Sequence, residues 1–433
     1  MIAAVRGTRD VLPGEVERWQ MVERVAHDVC RRYGYAEIRT PILEREELFA
    51  KGTGESTDIV QKEMYAFTDK GGERIALRPE ATPSMVRAFV EHGLEQKLLV
   101  AKLFAIGPMF RYERPQKGRY RQFHQLDVEV FGVTDPAVDA EIIDLAGAFV
   151  GELGIGQTEL LLNSVGCAEC RPVFISALLA ALGDDLPRLC ADCRRRAETN
   201  PLRIYDCKVP ADQPIIDRLP RSIDFLCGAC RTHFESVTSH LDDLGLPYRL
   251  AHRLVRGLDY YTRTTFEIVT DALGAQNALL GGGRYDGLVA ALGGPDRPGI
   301  GFAAGLERLV LALGDTTAAA RPPDAFVAAI GEPARRAAAV LTRDLRRAGL
   351  AVLADYEGRS LRAQLKRADR SGALRVLVLG DDELARREVA VRDMRTGEQV
   401  SVPLDRITAH LLDHGSAAPA RDTAPGGPNR SAS

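Results

Sequence analysis

The chain has 433 residues, enough for two or three domains with cores of their own. Its 57 Lys and Arg nearly balance its 60 Asp and Glu, so any nucleic-acid binding must come from local basic patches, not from the total charge of −3. With no long apolar run and no basic-apolar-small leader, a cytoplasmic protein without a membrane partner is expected.

Arg6 to Gly14 reads as a polar entry loop. Glu15 to Arg32 follows as an amphipathic helix, with Trp19, Val22, Val25, Ala26 and Val29 at helical spacing and Gly34 as its stop. Tyr35 to Arg39 is a short strand running into Thr40-Pro41. Met64 to Thr68 and Arg74 to Leu77 make a hairpin around Asp69-Lys70-Gly71-Gly72. In Arg78-Pro79-Glu80-Ala81-Thr82-Pro83, Thr82 suits the N-cap of the next helix and Pro83 its first position. Glu80, one turn earlier, has no such structural role, and its carboxylate could reach an ammonium group.

Leu98 to Ile106 is an apolar strand leading into Phe110 to Phe131, FRYERPQKGRYRQFHQLDVEVF. Phe110, Arg111 and Tyr112 end that strand, and Phe123 to Phe131 form the next. Phe123, Gln125, Asp127 and Glu129 share one face of it, and His124, Leu126, Val128 and Val130 the other. The carboxylate face is not a core face. Between the strands lies a loop with four cations, Arg114, Lys117, Arg119 and Arg121, which suits phosphates. Arg111, inside an apolar strand, needs an anion.

Asp135 to Leu153 is an acidic amphipathic helix and Gln157 to Asn163 a strand. Residues 166–245 then change to short helices and turns, and hold seven of the eight cysteines. The core resumes at Tyr248. Arg256 to Glu267 (RGLDYYTRTTFE) sets two tyrosines beside a lone Arg and Asp and runs into a Thr/Phe strand. Gly281 to Asp286 reads as a glycine-rich turn entering a helix. It lacks the phosphate-loop patterns, so close backbone approach is the expected use of its glycines. Pro298 to Leu313 (PGIGFAAGLERLVLAL) is a strand of small residues, then an apolar helix with Glu307-Arg308 in its first turn. Residues 324–414 alternate strand and helix and close with a hairpin near Thr396-Gly397.

The stretch Phe110 to Phe131 resembles motif 2 of class II aminoacyl-tRNA synthetases, in detail that of histidyl-tRNA synthetases. Arg256 to Glu267 is similar to a signature of the histidyl enzymes. The first helix, strand and Pro41 resemble motif 1, Pro298 to Leu313 motif 3, and 324–414 the anticodon-binding domain of several class II enzymes. In order, the resemblance spans Arg6 to about residue 412. It implies an α+β catalytic core with an antiparallel sheet over 1–165 and 246–313, a small inserted cysteine-rich domain at 166–245 and a linker at 314–323. A C-terminal α/β anticodon-binding domain at 324–414 and a disordered tail at 415–433 complete the expectation.

The implied function is a histidine–tRNA ligase, a homodimer that adenylates L-histidine with ATP and transfers it to tRNA-His. The rival is the inactive, histidyl-synthetase-like regulatory subunit of ATP phosphoribosyltransferase, which typically lacks the C-terminal domain. The resemblance implies Glu80, Ala81, Thr82, Gln125, Glu129, Tyr260 and Tyr261 around histidine. Arg111, Glu113 and Arg308 would hold ATP, with Mg2+ on its β- and γ-oxygens. Arg256, Arg111 and Arg308 are the candidate catalytic cations. The C-terminal helices carry Arg335, Arg336, Arg343, Arg346, Arg347, Arg362, Lys366, Arg367 and Arg370, a density that fits an RNA footprint.

The cysteines stand apart from the resemblance. Cys167-x-x-Cys170 and Cys190-x-x-Cys193 have the spacing of a four-cysteine zinc site. Cys207 and Cys227-x-x-Cys230 leave the pairing open, with Asp212 or His233 as further ligands. At least one structural Zn2+ is expected, holding an insert with little core of its own. Its loss should loosen the insert and spare the catalytic sheet.

Overall fold

A computed structural model describes residues 2–55, 57–98, 100–116, 118–274, 277–314 and 322–415. Lys117, most of the expected linker and nearly all of the expected tail lie outside them. The chain divides into two compact units, Met1–Ala318 and Ala319–Ser433.

The first unit opens with helix α1 (Val16–Arg32), which buries the predicted stripe Trp19, Val22, Ala26 and Val29. Strands β1 (Ala36–Glu37) and β2 (Leu43–Arg45) follow, then α2 (Glu46–Thr53), the hairpin β3 (Tyr65–Thr68) and β4 (Arg74–Leu77), α3 (Thr82–Glu91) and α4 (Leu94–Lys97). The long hairpin β5 (Ala101–Phe110) and β6 (Gln122–Phe131) leads to α5 (Ala137–Glu152) and β7 (Thr158–Ser164). The inserted segment carries α6 (Cys170–Leu182), α7 (Ala191–Thr199), α8 (Gln213–Ile216) and α9 (Gly228–Asp243). The unit ends with β8 (Arg249–Leu250), β9 (Thr262–Thr270), β10 (Ala278–Arg284), α10 (Leu288–Ala291), β11 (Gly299–Gly305) and α11 (Leu306–Leu313).

Eight strands form one sheet in the order β1-β5-β6-β11-β10-β9-β7-β8. Its interior pairings are all antiparallel, and only the two-residue edge strands β1 and β8 run parallel to their neighbours. Strands β2, β4 and β3 make a separate small sheet. Helices α1, α5, α9 and α11 bury Val22, Phe149, Val237 and Leu309 in one cluster with Leu126, Val128 and Val130 of β6. The alternation of β6 is therefore real: its even-numbered apolar side chains meet the helices, and Gln125, Asp127 and Glu129 point the other way.

Three sequence expectations change. Gly281 to Gly283 are not a turn but the middle of β10, paired with β9 and β11. A Cβ at Gly282 would overlap backbone atoms of the neighbouring strand, so strand pairing itself demands glycine there. Thr82 is not a cap: Ala81 holds the N-cap position, and the Thr82 side chain bonds elsewhere. The insert is not poor in core, since Phe174, Leu178, Leu189, Ile204, Tyr205 and Ile216 bury one another.

The second unit places β12 (Ala325–Ala329), α12 (Glu332–Arg347), β13 (Val352–Ala354), α13 (Leu361–Arg370) and β14 (Arg375–Leu379) in alternation. Helix α14 (Asp381–Arg386), the hairpin β15 (Glu388–Asp393) and β16 (Gln399–Pro403), and α15 (Ile407–Gly415) complete it. Its sheet runs β13-β12-β14-β15-β16, parallel across the first three strands, with a core including Val327, Leu345 and Leu377. Among the described residues, no helix is long and apolar enough to cross a membrane.

Candidate active site

A cavity of about 260 Å³ opens on the face of the large sheet away from its helices. Glu80, Thr82, Arg111, Glu113, Gln125, Glu129, Arg256, Tyr260, Tyr261 and Arg308 all line it. These side chains come from five segments spread over more than 200 residues, and the sheet is what unites them. Ala81 does not line it: it is fully buried beside Met85 in the packing around α3.

One end of the cavity is acidic. Glu80 is buried and receives hydrogen bonds from the Thr53 hydroxyl and, at 2.8 Å, from the Tyr260 hydroxyl. Glu129 receives the Thr82 hydroxyl at 2.5 Å and also the Tyr285 hydroxyl. Asp127, two residues earlier on the same face, has neither oxygen hydrogen-bonded among the described residues. Burial pushes the Asp127 carboxyl up to about 8, against the pull of the Arg78 guanidinium. Burial likewise pushes Glu129 up to about 8, in spite of its two hydroxyl donors, and holds Glu80 above the usual carboxylate range. The Tyr260 and Tyr261 rings lie 4.8 Å apart between centroids, and burial raises the Tyr261 phenol to about 12. Three buried carboxyl groups among aromatic rings, one of them with no hydrogen-bond partner among the described residues, form a site for a small ligand with cationic or N–H donors.

The other end is cationic. Arg111 lies just past the end of β5, not within it. Its Nε donates to the Pro79 carbonyl at 2.8 Å, and its guanidinium sits 5.2 Å from the Phe123 ring centre. That leaves the rest of its fork toward the cavity. Arg256 is paired with Glu267 of β9. Burial alone would lower its pKa, but the Glu267 carboxylate and the neighbouring Tyr261 and Tyr260 together hold it above the usual value. The Arg256 guanidinium lies against Gly281, where a Cβ would stand only 2.8 Å from its Cζ. Arg308 donates to the Ala278 carbonyl at 2.9 Å, and burial together with nearby Arg119 lowers its pKa. Glu113 is held by Arg119 at 3.1 Å. Guanidinium forks lining one cavity suit phosphate oxygens.

Sequence reasoning missed Tyr285, Glu267 and Thr53. Tyr285 follows the glycine run that read as a turn. Glu267 ends the Arg256 segment, and a partner for a buried arginine was the available signal. Thr53 carries none. Arg284 is fully buried against Asp139, an ion pair inside the core and not a cavity group.

In the second unit the basic helices are partly self-satisfied. Arg335 and Arg336 lie within 3.6 and 3.4 Å of Glu332, Arg346 donates to the Val352 carbonyl, and Arg367 meets Asp355 and Glu357.

The predicted zinc ligands do not meet at one point. Cys167 and Cys170 cluster with Cys227 and Cys230, and Cys190 and Cys193 with Cys207 and Asp212. His233 joins neither; its Nε2 lies 3.8 Å from Asp139.

A family model described as Histidyl-tRNA synthetase matches residues 7–181 and 223–309, and one described as Anticodon binding domain matches 324–414. The histidine–tRNA ligase of Geobacter metallireducens is 52% identical over 405 residues, covering 94% of this chain and 98% of that protein. That of Desulforamulus reducens is 53% identical over 409 residues, covering 94% and 98%. The crystal structure of apo S. aureus histidyl-tRNA synthetase superposes with a TM-score of 0.81 at 38% identity, covering 95% of this chain and all of that one.

Proposed function

Because this chain belongs to the histidyl-tRNA synthetase family, we propose that it is a histidine–tRNA ligase, with the cavity on its large sheet as the site of both half-reactions. In the first, a carboxylate oxygen of histidine attacks the α-phosphorus of ATP. The bond to the β-phosphate breaks and pyrophosphate leaves. In the second, a hydroxyl of the terminal adenosine of tRNA-His attacks the activated carbonyl, and AMP leaves. The observation that carries the reading is the division of one cavity into an acidic, tyrosine-lined end and an arginine-lined end.

Each end answers a physical demand. Two anions must meet at the α-phosphorus, so fixed positive charge has to be in place beforehand. Arg111 and Arg256 supply it there, and Arg308 holds the γ-phosphate. Glu113 accepts from the adenine amino group. Mg2+ would neutralise the remaining phosphate charge, and Glu267 in the cavity would offer it a hard oxygen donor. At the acidic end Glu80 and Thr82 take the ammonium group, Glu129 and Tyr261 the two ring nitrogens, and Gln125 and Tyr260 line the pocket. A carboxylate nucleophile needs no general base.

The regulatory-subunit reading has less support. The anticodon-binding domain is present, and Arg111, Arg256 and Arg308 share the cavity. The enzyme is proposed to work in the cytoplasm as a homodimer. Ile42 and Leu43, exposed after Pro41, are apolar surface available for that contact. Pyrophosphate exchange with a panel of amino acids tests the whole proposal. Exchange that depends on histidine alone is expected; none with any amino acid would favour the regulator, and dependence on another amino acid would displace histidine.

A further inference from the structure

Seven of the eight cysteines gather in two places, and neither place belongs to the cavity. Cys167 and Cys170 follow β7, where the chain leaves the sheet; Cys227 and Cys230 open α9, where it returns. Their sulfurs lie within 4.8 Å of one another, with Cys167 Sγ 3.5 Å from Cys170 Sγ and 3.9 Å from Cys227 Sγ. Four thiolates about 2.3 Å from a tetrahedral Zn2+ stand roughly 3.8 Å apart. A disulfide needs about 2 Å. The sulfurs are spaced for a metal. The Cys227 N–H donates to Cys170 Sγ at 3.2 Å, the kind of bond that stabilises a thiolate.

The second group lies wholly inside the insert. Cys190 Sγ is 3.9 Å from Cys207 Sγ, and Cys207 Sγ is 3.2 Å from Asp212 Oδ2. Cys193 completes the set. Here too backbone N–H groups point at sulfur: Cys193 to Cys190 at 3.4 Å and Val209 to Cys207 at 3.4 Å. The buried Asp212 carboxylate accepts from the Cys190 N–H at 3.1 Å, which orients it toward the same point.

We propose that the chain carries two structural Zn2+ sites: a four-thiolate clasp at the base of the insert, and a site of three thiolates and one carboxylate within it. On binding, each metal replaces the thiol protons of its cysteines, which pass to solvent. The clasp joins two segments 57 residues apart (170 to 227), and so closes the insert onto the sheet.

The clasp also reaches the ligand pocket. Arg171, next to Cys170, donates to the Asp259 carbonyl at 3.5 Å and to the Tyr261 carbonyl. From the other site α7 runs to Asn200, whose amide donates to Asp259 Oδ1 at 2.8 Å. Both metals therefore brace, from behind, the loop that presents Tyr260 and Tyr261. This revises the expectation that metal loss spares the catalytic sheet. Arg171 acts as a positioning residue, and this second claim rests on the reading of the pocket as the histidine site.

Elemental analysis of the full chain, made with ample zinc and no chelator, should give two zinc per chain. C167S/C170S and C190S/C193S should each retain one. Less than one in the parent overturns both sites, and a pair of substitutions that leaves the count unchanged overturns its site. Because a variant can fail to fold, the intact protein is also loaded with Co2+ alone; thiolate-to-cobalt absorption is expected, and its lack contradicts the proposal. Alkylation after denaturation without reductant should modify all eight cysteines, whereas a disulfide in either cluster counts against a metal there. R171A should keep both metals yet raise the histidine KM several-fold, with the ATP KM and kcat near the parent. An unchanged histidine KM sinks the bracing claim and leaves the metal count standing. No histidine dependence in the parent sinks the functional reading and leaves the metal count equally intact.

Discussion

The Thr82 hydroxyl donates to Glu129 Oε1 over 2.5 Å, although 47 residues separate them in the chain. Thr82 begins α3 and Glu129 lies in β6, so this bond ties the floor of the cavity to its wall. The Tyr285 hydroxyl takes the other oxygen of Glu129. A carboxylate held at both oxygens is fixed in position before any ligand arrives. Glu129→Gln should therefore raise the histidine KM and weaken rejection of other amino acids, with ATP affinity nearly unchanged, because an amide cannot accept at both oxygens. Pyrophosphate exchange kinetics decide it. If histidine and ATP affinities fall together, Glu129 is a structural residue.

How far this site was legible depends on where each signal is stored. Gln125, Asp127 and Glu129 were readable because a strand alternates its faces, and a carboxylate face cannot be core. Arg256, Tyr260 and Tyr261 were readable as a local cluster. Tyr285 was not: three successive glycines read as a turn, whereas β10 needs them because its neighbours lie too close for side chains. Thr82 suited a helix cap on local grounds, and only the distant Glu129 claims its hydroxyl. The division of the cysteines was hidden for the same reason. Spacing along the chain favours the nearest pairs, while the fold brings together the two ends of the insert.

Arg256 is expected to matter through its shape as well as its charge. Its guanidinium lies between Glu267 and Gly281, with the Tyr261 ring centre 5.7 Å away. Arg256→Ala should lower histidine-dependent pyrophosphate exchange by about 10²–10³-fold, the usual cost of removing one preorganised transition-state donor. Arg256→Lys should recover little, since a point charge cannot span two phosphate oxygens. Circular dichroism and zinc content should match the parent. Exchange within a few-fold of the parent would exclude Arg256 from the α-phosphate.

Gly301 faces Glu129 directly across the β6–β11 pair. A Cβ there would run into the Glu129 carboxylate and the Val128 carbonyl. Gly301→Ala should displace Glu129 and raise the histidine KM at least as much as Glu129→Gln does. The double variant should then be little worse than either single one, because both act on one contact. Additive losses would place Gly301 elsewhere in the mechanism.

A chain ending at Ala318 retains every cavity residue and both cysteine clusters. It should activate histidine at a rate near the parent and aminoacylate tRNA poorly. The helices with Arg335, Arg336 and Arg370 are the lost basic surface, so the remaining charging should fall less steeply with added salt. Equal losses in activation and charging would mean that the second unit supports the first instead of binding RNA.

The acidic end of the cavity also sets a pH dependence. Asp127 and Glu129 stand near 8 in the folded chain and Glu80 above its usual range, while unfolded carboxyls titrate near 4. Between those values the native state holds protons that the unfolded chain has released. Stability must then fall as pH rises through the window, by up to about 1.4 kcal/mol per pH unit for each whole proton, and level off above it. The cations that limit the shifts, Arg78 foremost, are guanidiniums, which as a class do not titrate in this window and add no slope. Trp19 is the only tryptophan and is buried in the first unit, so its fluorescence reports unfolding of that unit alone. The urea midpoint of the ligand-free protein should be lower at pH 8 than at pH 6. Asp127→Asn should reduce the difference, because an uncharged amide takes no proton at either pH. Saturating histidine should reduce it too, since its ammonium stabilises the ionised Glu80. A midpoint that climbs from pH 6 to pH 8 would show that these carboxylates are already ionised in the native state and that other charges dominate the cavity.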